Sequence, residues 1–477
     1  MAIFYKIKLD LLSIKLGKYF SNKLKGGLIN VKEILRSAGK ILKKLPKYLL
    51  IYIIIVSLII EIQMIKKANA YKKNKNSGKF KKYDDKLALV DDMNDGINLR
   101  LELIDKAEES LDIFYYIIDN SNTFTVFIDR VIKAADRGVK VRFITNKFNS
   151  NFRAKNSWRE EILANHPNID FYYYKNPWYN FYSLQDMNHD KVIIADGTYL
   201  LTGGRNIGYR FFIKNDKMVD DLDICVIRKS KASSIDNFMT YYEELINLKQ
   251  VKKVEATKPD YESLREKLRA SLDETDKSFI KNGSILGKLA FRDVRMNFVH
   301  NTLGEVVKSP EIAYHLGILG ENSKSIKWVS PYIIPTRPLR KLLNLQNDKK
   351  IEFVTNSAVS TPNYPGFGAT LAYKSRTDKY GDFYSYKGKG SIHTKAILYD
   401  DGISAIGTFN LDPRSAFLAT ETMAIVDSDE FQNDLGSYVE SLDTTSWDEA
   451  AKDKPPIFKS ILLFIVRILM YFFSPLV

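Results

Sequence analysis

The sequence predicts a duplicated α/β protein. Two domains of one plan, each a sheet between helices, face each other about a pseudo-twofold axis, and the chain carries apolar segments at both ends. Three observations predict this. Strand-like and helix-like spacings alternate through the body. Their order recurs once at an interval of roughly 200 residues, the mark of a duplicated domain and not of a solenoid. Two polar layouts, "HDKVIIADGTYLLTGGRN" at His189–Asn206 and "HTKAILYDDGISAIGTFN" at His393–Asn410, stand at corresponding places in the two copies.

Residues 1–47 carry twelve Lys/Arg among spaced apolar residues, a basic amphipathic arm suited to an anionic membrane surface. Residues 48–65, "YLLIYIIIVSLIIEIQMI", interrupt their apolar run only at Ser57, Glu61 and Gln63. They approach the length of about 20 residues that a bilayer requires, and they stand between basic stretches, unlike a core helix. "ANA" at Ala68–Ala70 resembles a cleavage site, but the basic region before it is too long for a signal peptide, so an uncleaved anchor is expected. Lysines are slightly more abundant after the segment, which favours a cytoplasmic body at the cell membrane. Residues 66–95 read as a basic linker, and 456–477, "IFKSILLFIVRILMYFFSPLV" with what precedes it, as a hydrophobic membrane-associated segment.

The first domain is expected over 96–233. "NLRLELIDKA" has helical spacing, "LDIFYYII" reads as strand, "TFTVFIDRVIKAAD" as helix, Gly138 as a turn, "VKVRFIT" and "IDFYYYK" as strands, and "DLDICVIRK" as a strand after the His189 segment. A charged helical connector is expected over 234–290. The second domain, 291–455, repeats the plan with the strand "SIKWVSPYII", a helix at "TRPLRKLLNLQ" despite Pro338, the strand "KKIEFVTNSA", a long loop running to Gly390, the His393 segment and "TETMAIVD".

A content of 45% hydrophobic and 27% charged residues excludes a disordered chain. The net charge of +15 favours anionic partners, and the single cysteine, Cys225, excludes an intrachain disulfide and a cysteine-rich metal site.

The chain has five histidines, and two open the repeated layouts. On a strand, His189 and Lys191 share a face, as do His393 and Lys395. Glycines follow, then Asn206 and Asn410. Asp196 and Asp400 end their strands at turns and read mainly as ties for turn amides or cations. Two imidazoles, two ammoniums and two amides brought together suit a phosphodiester. The cations and amides hold nonbridging oxygens, one imidazole attacks phosphorus, and the other protonates the leaving alcohol and then deprotonates the acceptor. A lone buried histidine is ordinarily structural, but two matched sets in a repeated domain are not readily a coincidence. His166, His300 and His315 lack such a setting and read as ordinary residues. No cofactor or metal is called for.

The pair of segments resembles the duplicated H-x-K-x4-D signature of the phospholipase D superfamily, and the domains its α/β/α sandwich. "GGRNIG" at Gly203–Gly208 and "GTFNLDPRSAFLATE" at Gly407–Glu421 are similar to bacterial cardiolipin synthases, as are "AADRGVKVRFIT", "YKNPW" and "SPYIIP". The resemblance implies that His189 is the nucleophile, that His393 is the general acid and then base, and that Lys191, Lys395, Asn206 and Asn410 hold phosphate. It further implies that an acid downstream of each motif orients that motif's histidine: Asp221 (or Asp223) for His189, and Glu421 for His393. "TNK" at Thr145–Lys147 and the long segment before Gly390 depart from the family pattern and leave substrate identity open.

The implied reaction is transfer of a phosphatidyl group from a phospholipid donor, phosphatidylglycerol or phosphatidylethanolamine, to phosphatidylglycerol at an anionic bilayer. Hydrolysis of the same intermediate to phosphatidic acid uses every residue named above. A nuclease is a further alternative, but much of the positive charge lies in the arm and linker, where lipid suffices and no nucleic acid is required.

Overall fold

The computed structural model describes residues 31–73, 81–150, 152, 157–177, 180–257, 260–346 and 348–473. The first part of the basic arm and the extreme C-terminus lie outside them. The first half contributes β1 (Tyr83–Val90), β2 (Ser110–Tyr115), β3 (Lys140–Asn146), β4 (Ile169–Tyr174), β5 (Met187–Asn188), β6 (Lys191–Ala195), β7 (Tyr199–Gly203), β8 (Val219–Asp220), β9 (Asp223–Arg228) and β10 (Val251–Lys253). The second contributes β11 (Arg292–His300), β12 (Ser325–Val329), β13 (Lys350–Asn356), β14 (Asp382–Tyr386), β15 (Ser391–Ile392), β16 (Ala396–Tyr399), β17 (Ile403–Gly407), β18 (Ala419–Thr420), β19 (Thr422–Asp427) and β20 (Thr444–Ser446).

Sixteen of these strands form one sheet in the order β10-β4-β3-β2-β6-β7-β9-β1-β11-β19-β17-β16-β12-β13-β14-β20. Each strand of the first half has its counterpart ten labels later, and the second half of the order is the first reversed. A pseudo-twofold axis therefore passes between β1 and β11, which pair antiparallel from Tyr83↔Met296 to Leu87↔Arg292. The remaining four strands cross between halves: β5 pairs parallel with β18, and β8 with β15.

The alternation of β2, "SLDIFY", explains how helices cover both faces. Leu111, Ile113 and Tyr115 enter one buried cluster with the helices Met93–Lys106 and Asn122–Asp136. Phe114 enters another on the opposite face. That second cluster is continuous across the axis. It joins Val192, Ile194 and Leu200 to Val294, Met296, Ala396, Ile406 and Val426, and the helices Ser234–Ile246 and Asp429–Ser441 lie on it. The halves thus share buried apolar surface, the largest favourable contribution to their association.

Four sequence expectations change here. The linker assigned to 66–95 contains β1, a central strand paired with β9 and β11; the consecutive Asp84, Asp85 and Lys86 obscure its alternation. The connector assigned to 234–290 begins inside the first half, where β10 extends the sheet beside β4 and Ser234–Ile246 packs on the shared core. The loop expected before Gly390 contains the helix Tyr364–Thr377, capped by Asn363, and then β14. Finally, neither histidine lies in a continuous strand. His189 falls between β5 and β6, and His393 between β15 and β16, where the chain leaves its pairing with the other half and joins the main sheet.

Outside the sheet, one helix runs Val31–Lys73 and includes a stretch, Lys47–Tyr71, long and apolar enough to cross a membrane. Leu49, Leu50, Ile54, Ile55 and Leu58 are exposed along it. Beyond Ile59 the helix is tied to the body: Gln63 accepts from the Tyr182 hydroxyl at 2.7 Å, and Lys67 pairs with Glu305 at 2.5 Å. The C-terminal helix, Ile457–Phe473, packs against Tyr364–Thr377, where a Cβ on Gly368 would collide with Val466.

Candidate active site

The backbone crossing sets the geometry. The His189 amide donates to the Thr420 carbonyl at 2.9 Å, and the His393 amide to the Asp220 carbonyl at 2.7 Å. In each case the next residue of the opposite half is the acid. Consequently His189 Nδ1 meets Glu421 at 3.0 Å, and His393 Nδ1 meets Asp221 at 2.6 Å. This corrects the sequence expectation that each acid serves the histidine of its own half. Strand pairing across the axis moves each acid one half over, which spacing along the chain does not reveal. Asp223 serves neither histidine. It is buried between Arg100, 2.8 Å away, and Arg205, 3.0 Å away. Arg205 also donates to the Val90 carbonyl at 2.7 Å, so the arginine of "GGRN" fixes the end of β1.

His393 Nδ1 also lies 2.7 Å from Lys395 Nζ; with Nδ1 of each ring engaged, Nε2 is left for chemistry. The carboxylates are themselves held. Ser415 donates to Glu421 at 2.8 Å, and the Leu222 amide to Asp221 at 2.9 Å. Gly204 has no side chain because Asp221 packs directly against it; a Cβ there would collide with the carboxylate.

Lys191 and Lys395 are buried, and each donates to the carbonyl of its own histidine. Burial brings Lys191 down to about 7 and Lys395 down to about 8. Burial also lowers His189 well below its ordinary value and His393 to about 3, and each ammonium adds to the effect on the imidazole of the other half. That mutual influence places both motifs in one electrostatic centre. Glu421 is raised to about 7 by burial, against Lys191. Burial alone would raise Asp221 as well, but Lys395 and His393 more than offset it and hold the carboxyl well below the usual range. The site therefore holds two neutral imidazoles and two lysines that burial makes readier than usual to release protons, against the pull of Asp221 and Glu421. A bound phosphate reverses that imbalance.

Asn206 Oδ1 accepts from the Ile117 amide at 3.0 Å, leaving its NH2 group. Asn410 is its buried counterpart, and its Oδ1 has no partner among the described residues. Asp196 and Asp400 lie at the far ends of their strands. Asp196 accepts from the amides of Glu108, Glu109 and Ser110 at 2.8–2.9 Å, and Asp400 from those of Lys324 and Ser325 at 2.9 and 3.1 Å. Both tie a turn to the start of a neighbouring strand, and neither touches the histidine centre, which removes them from the set of reacting groups. Asp196→Ala is expected to cost about 1–3 kcal/mol of stability through the orphaned amides while leaving turnover per folded molecule unchanged. A lowered urea midpoint with an undiminished rate checks this.

Several supporting residues escaped the sequence reading. The Tyr241 hydroxyl reaches Asn188 at 2.9 Å and also donates to Asp190, which accepts from Thr422 at 2.9 Å. Its counterpart Tyr438 bonds Thr394 and Asp220 at 2.8 and 2.7 Å. Each lies on the helix that follows its acid, 20 residues after Asp221 and 17 after Glu421, an offset that hides the correspondence in the sequence. Tyr116 stands edge-on to His189 and Phe211 to His393, at centroid distances of 4.8 and 5.8 Å.

This fold and centre define a phospholipase D-type protein. The family described as "Cardiolipin synthase, PLD-like domain" matches residues 101–246 and 317–442, more than half the chain, and the chain belongs to it and to the phospholipase D superfamily. Among relatives, cardiolipin synthase C of Escherichia coli is 26% identical over 388 residues, covering 70% of this chain and 80% of that protein. An uncharacterised Helicobacter pylori protein is 26% identical over 392 residues, covering 72% and 76%. The phosphatidylserine synthase of Haemophilus influenzae shares the fold with a TM-score of 0.60 at 15% identity, over 82% of this chain and 95% of that one.

Proposed function

We propose that the chain is a membrane-bound phosphatidyltransferase that forms cardiolipin. It transfers a phosphatidyl group from phosphatidylglycerol or phosphatidylethanolamine to phosphatidylglycerol. The observation that carries this reading is the crossed pair of histidine–carboxylate contacts, which leaves two Nε2 atoms and two ammoniums at one centre. His189 Nε2 attacks phosphorus and forms a P–N bond, while the P–O bond to the donor's headgroup alcohol breaks and that alkoxide takes a proton from His393. His393 then takes the proton of the acceptor hydroxyl, whose oxygen attacks phosphorus as the P–N bond breaks. Lys191, Lys395, Asn206 and Asn410 hold the nonbridging oxygens, where charge builds in both steps. His393 is neutral in the empty site; the arriving phosphodiester anion favours its protonated form, as does ionised Asp221.

Residues 47–71 anchor the protein, with the body on the cytoplasmic side as the flanking lysines favour. The exposed apolar face of Ile457–Phe473 lies in the membrane interface. The experiment is the purified protein in liposomes of phosphatidylglycerol, with and without phosphatidylethanolamine, with products identified by mass. Cardiolipin with released glycerol or ethanolamine supports transfer and names the donor. Phosphatidic acid alone would make the protein a hydrolase, and no lipid product would overturn the reading.

The lysines set the pH dependence. In the empty site burial depresses both Lys191 and Lys395, so their neutral forms grow as pH rises above neutrality. Only the charged forms hold an anion strongly. Competitive inhibition by sulfate, whose charge is constant across this window, is therefore expected to weaken about tenfold or more from pH 7 to pH 9. Undiminished inhibition at pH 9 would contradict it.

A further inference from the structure

A cavity of about 830 Å3 opens beside the centre, on the His393 side, and none of the proposed reacting residues lines it. Its wall comes from both halves: Asp119, Arg210 and Lys217 from the first, and Ser357, Ser360 and Ser391 from the second. It lies close to the chemistry. Ser391 begins β15, which runs straight to His393, and Phe211, next to Arg210, stands edge-on to the His393 ring.

The lining has a mixed character that narrows the ligand. Lys387 is matched by Asp453 at 3.3 Å; Arg210 and Lys217 are exposed and have no ion pair within 4 Å among the described residues, though the Arg210 guanidinium lies over the Phe211 ring at 5.1 Å and acts electrostatically on Asp119. Asp119 uses Oδ2 to accept from the Tyr209 amide at 3.1 Å and also interacts with Ser121 and, electrostatically, with Arg210. Ser357 and Ser360 add hydroxyls. A bare anion meets two cations here but also the carboxylates of Asp119 and Asp216. A phosphodiester ending in hydroxyls satisfies both sets: cations for phosphate, and carboxylate and serine oxygens for the hydroxyl protons.

The rim indicates what the phosphodiester is attached to. Val359 lines the cavity and is 52% exposed. Its carbonyl accepts from Lys459 at 2.9 Å, which brings the start of the C-terminal helix to the rim, where Ile457 is 80% and Phe458 77% exposed. An apolar strip thus leads from the cavity mouth onto a helix face of exposed Ile461, Phe464, Ile465 and Ile468. A soluble phosphate has no use for that strip; acyl chains do.

We infer that this cavity is the acceptor subsite, holding the phosphate and free hydroxyls of the incoming lipid while its chains lie over Val359 and the C-terminal helix. The inference rests on the transferase reading and adds where the acceptor binds. It lies toward His393, the group assigned to deprotonate the acceptor, on the side where the donor's alcohol leaves before the acceptor enters.

The test uses the full chain in liposomes and reads two quantities: the rate of adduct formation from donor, and the partition of the adduct between lipid acceptor and water as the acceptor mole fraction varies. For the Arg210→Gln/Lys217→Gln double variant, the acceptor fraction giving half-maximal transfer is expected to rise about tenfold or more. Adduct formation should stay within about twofold, because neither side chain touches the centre. In a second arm, Val359→Asp/Phe458→Asp should impair transfer to lipid acceptor but not to soluble glycerol 3-phosphate. Unchanged partition in the double variant overturns the subsite, and an equal fall in adduct formation reassigns the cavity to the donor. Equal transfer to lipid and soluble acceptors in the second variant removes the lipid path. Absence of any adduct in the unmodified protein is the separate failure of the transferase reading, and the subsite falls with it.

Discussion

His189→Ala is expected to abolish both the covalent adduct and turnover, a loss of at least about 10^4-fold. The variant removes the one nitrogen placed to form the P–N bond, and the remaining lysines and amides still bind phosphate without replacing it. His393→Ala is expected to behave differently. With an ordinary lipid, whose leaving alkoxide needs a proton, turnover should fall by a similar factor. With a substrate whose leaving group departs unprotonated, the adduct should still form and then persist, because nothing deprotonates the acceptor. Quench-flow measurement of adduct and product with both substrates separates the two roles. If the variants gave the same pattern with both leaving groups, the division of labour would be wrong.

The second large effect concerns the crossed acids. Glu421 lies in the second half and serves His189 in the first, so Glu421→Gln is expected to slow adduct formation about 10^2–10^4-fold whatever the leaving group. Glutamine keeps the volume and an accepting oxygen, but it lacks the charge that fixes the Nδ1–H form and supports the developing cation. Asp221→Asn acts through His393. Its penalty should be large with a poor leaving group and small with a good one. An exchange of these signatures would mean that each acid serves its own half, against the contacts at 3.0 and 2.6 Å. Circular dichroism of both variants guards against a folding effect, since each acid is buried.

Much of this centre is legible in the sequence, because its members are polar residues embedded in apolar strands and appear twice. The His–Lys spacing, the asparagines after the glycines, and the acids in "DDLDI" and "ATETM" are local patterns. The partner of each acid is not local. It depends on β5–β18 and β8–β15, two-residue pairings too short for any periodicity to predict and determined by how the halves meet. β1 was missed for a related reason. Its neighbours, β9 and β11, come from both halves, and the consecutive charges Asp84, Asp85 and Lys86 obscure its alternation. The helix Tyr364–Thr377 was hidden by its glycines, Gly366 and Gly368, which lower intrinsic helix preference. Gly366 is tolerated because Tyr332 packs where a Cβ would stand, and Gly368 because the C-terminal helix crosses there. Asp196 and Asp400 match the signature perfectly yet hold only backbone amides, since the sheet carries the end of each strand away from its histidine.

The central claim is that both halves build one site in which His189 is the attacking group. Its most direct measurement is the location of the trapped phosphatidyl group. His393→Ala is incubated with a lipid carrying a good leaving group, quenched in base, digested and mapped by mass spectrometry. The account predicts the group on the peptide containing His189 and its loss on adding Glu421→Gln. A group found on any other residue, or trapping undiminished without the Glu421 carboxylate, would contradict it.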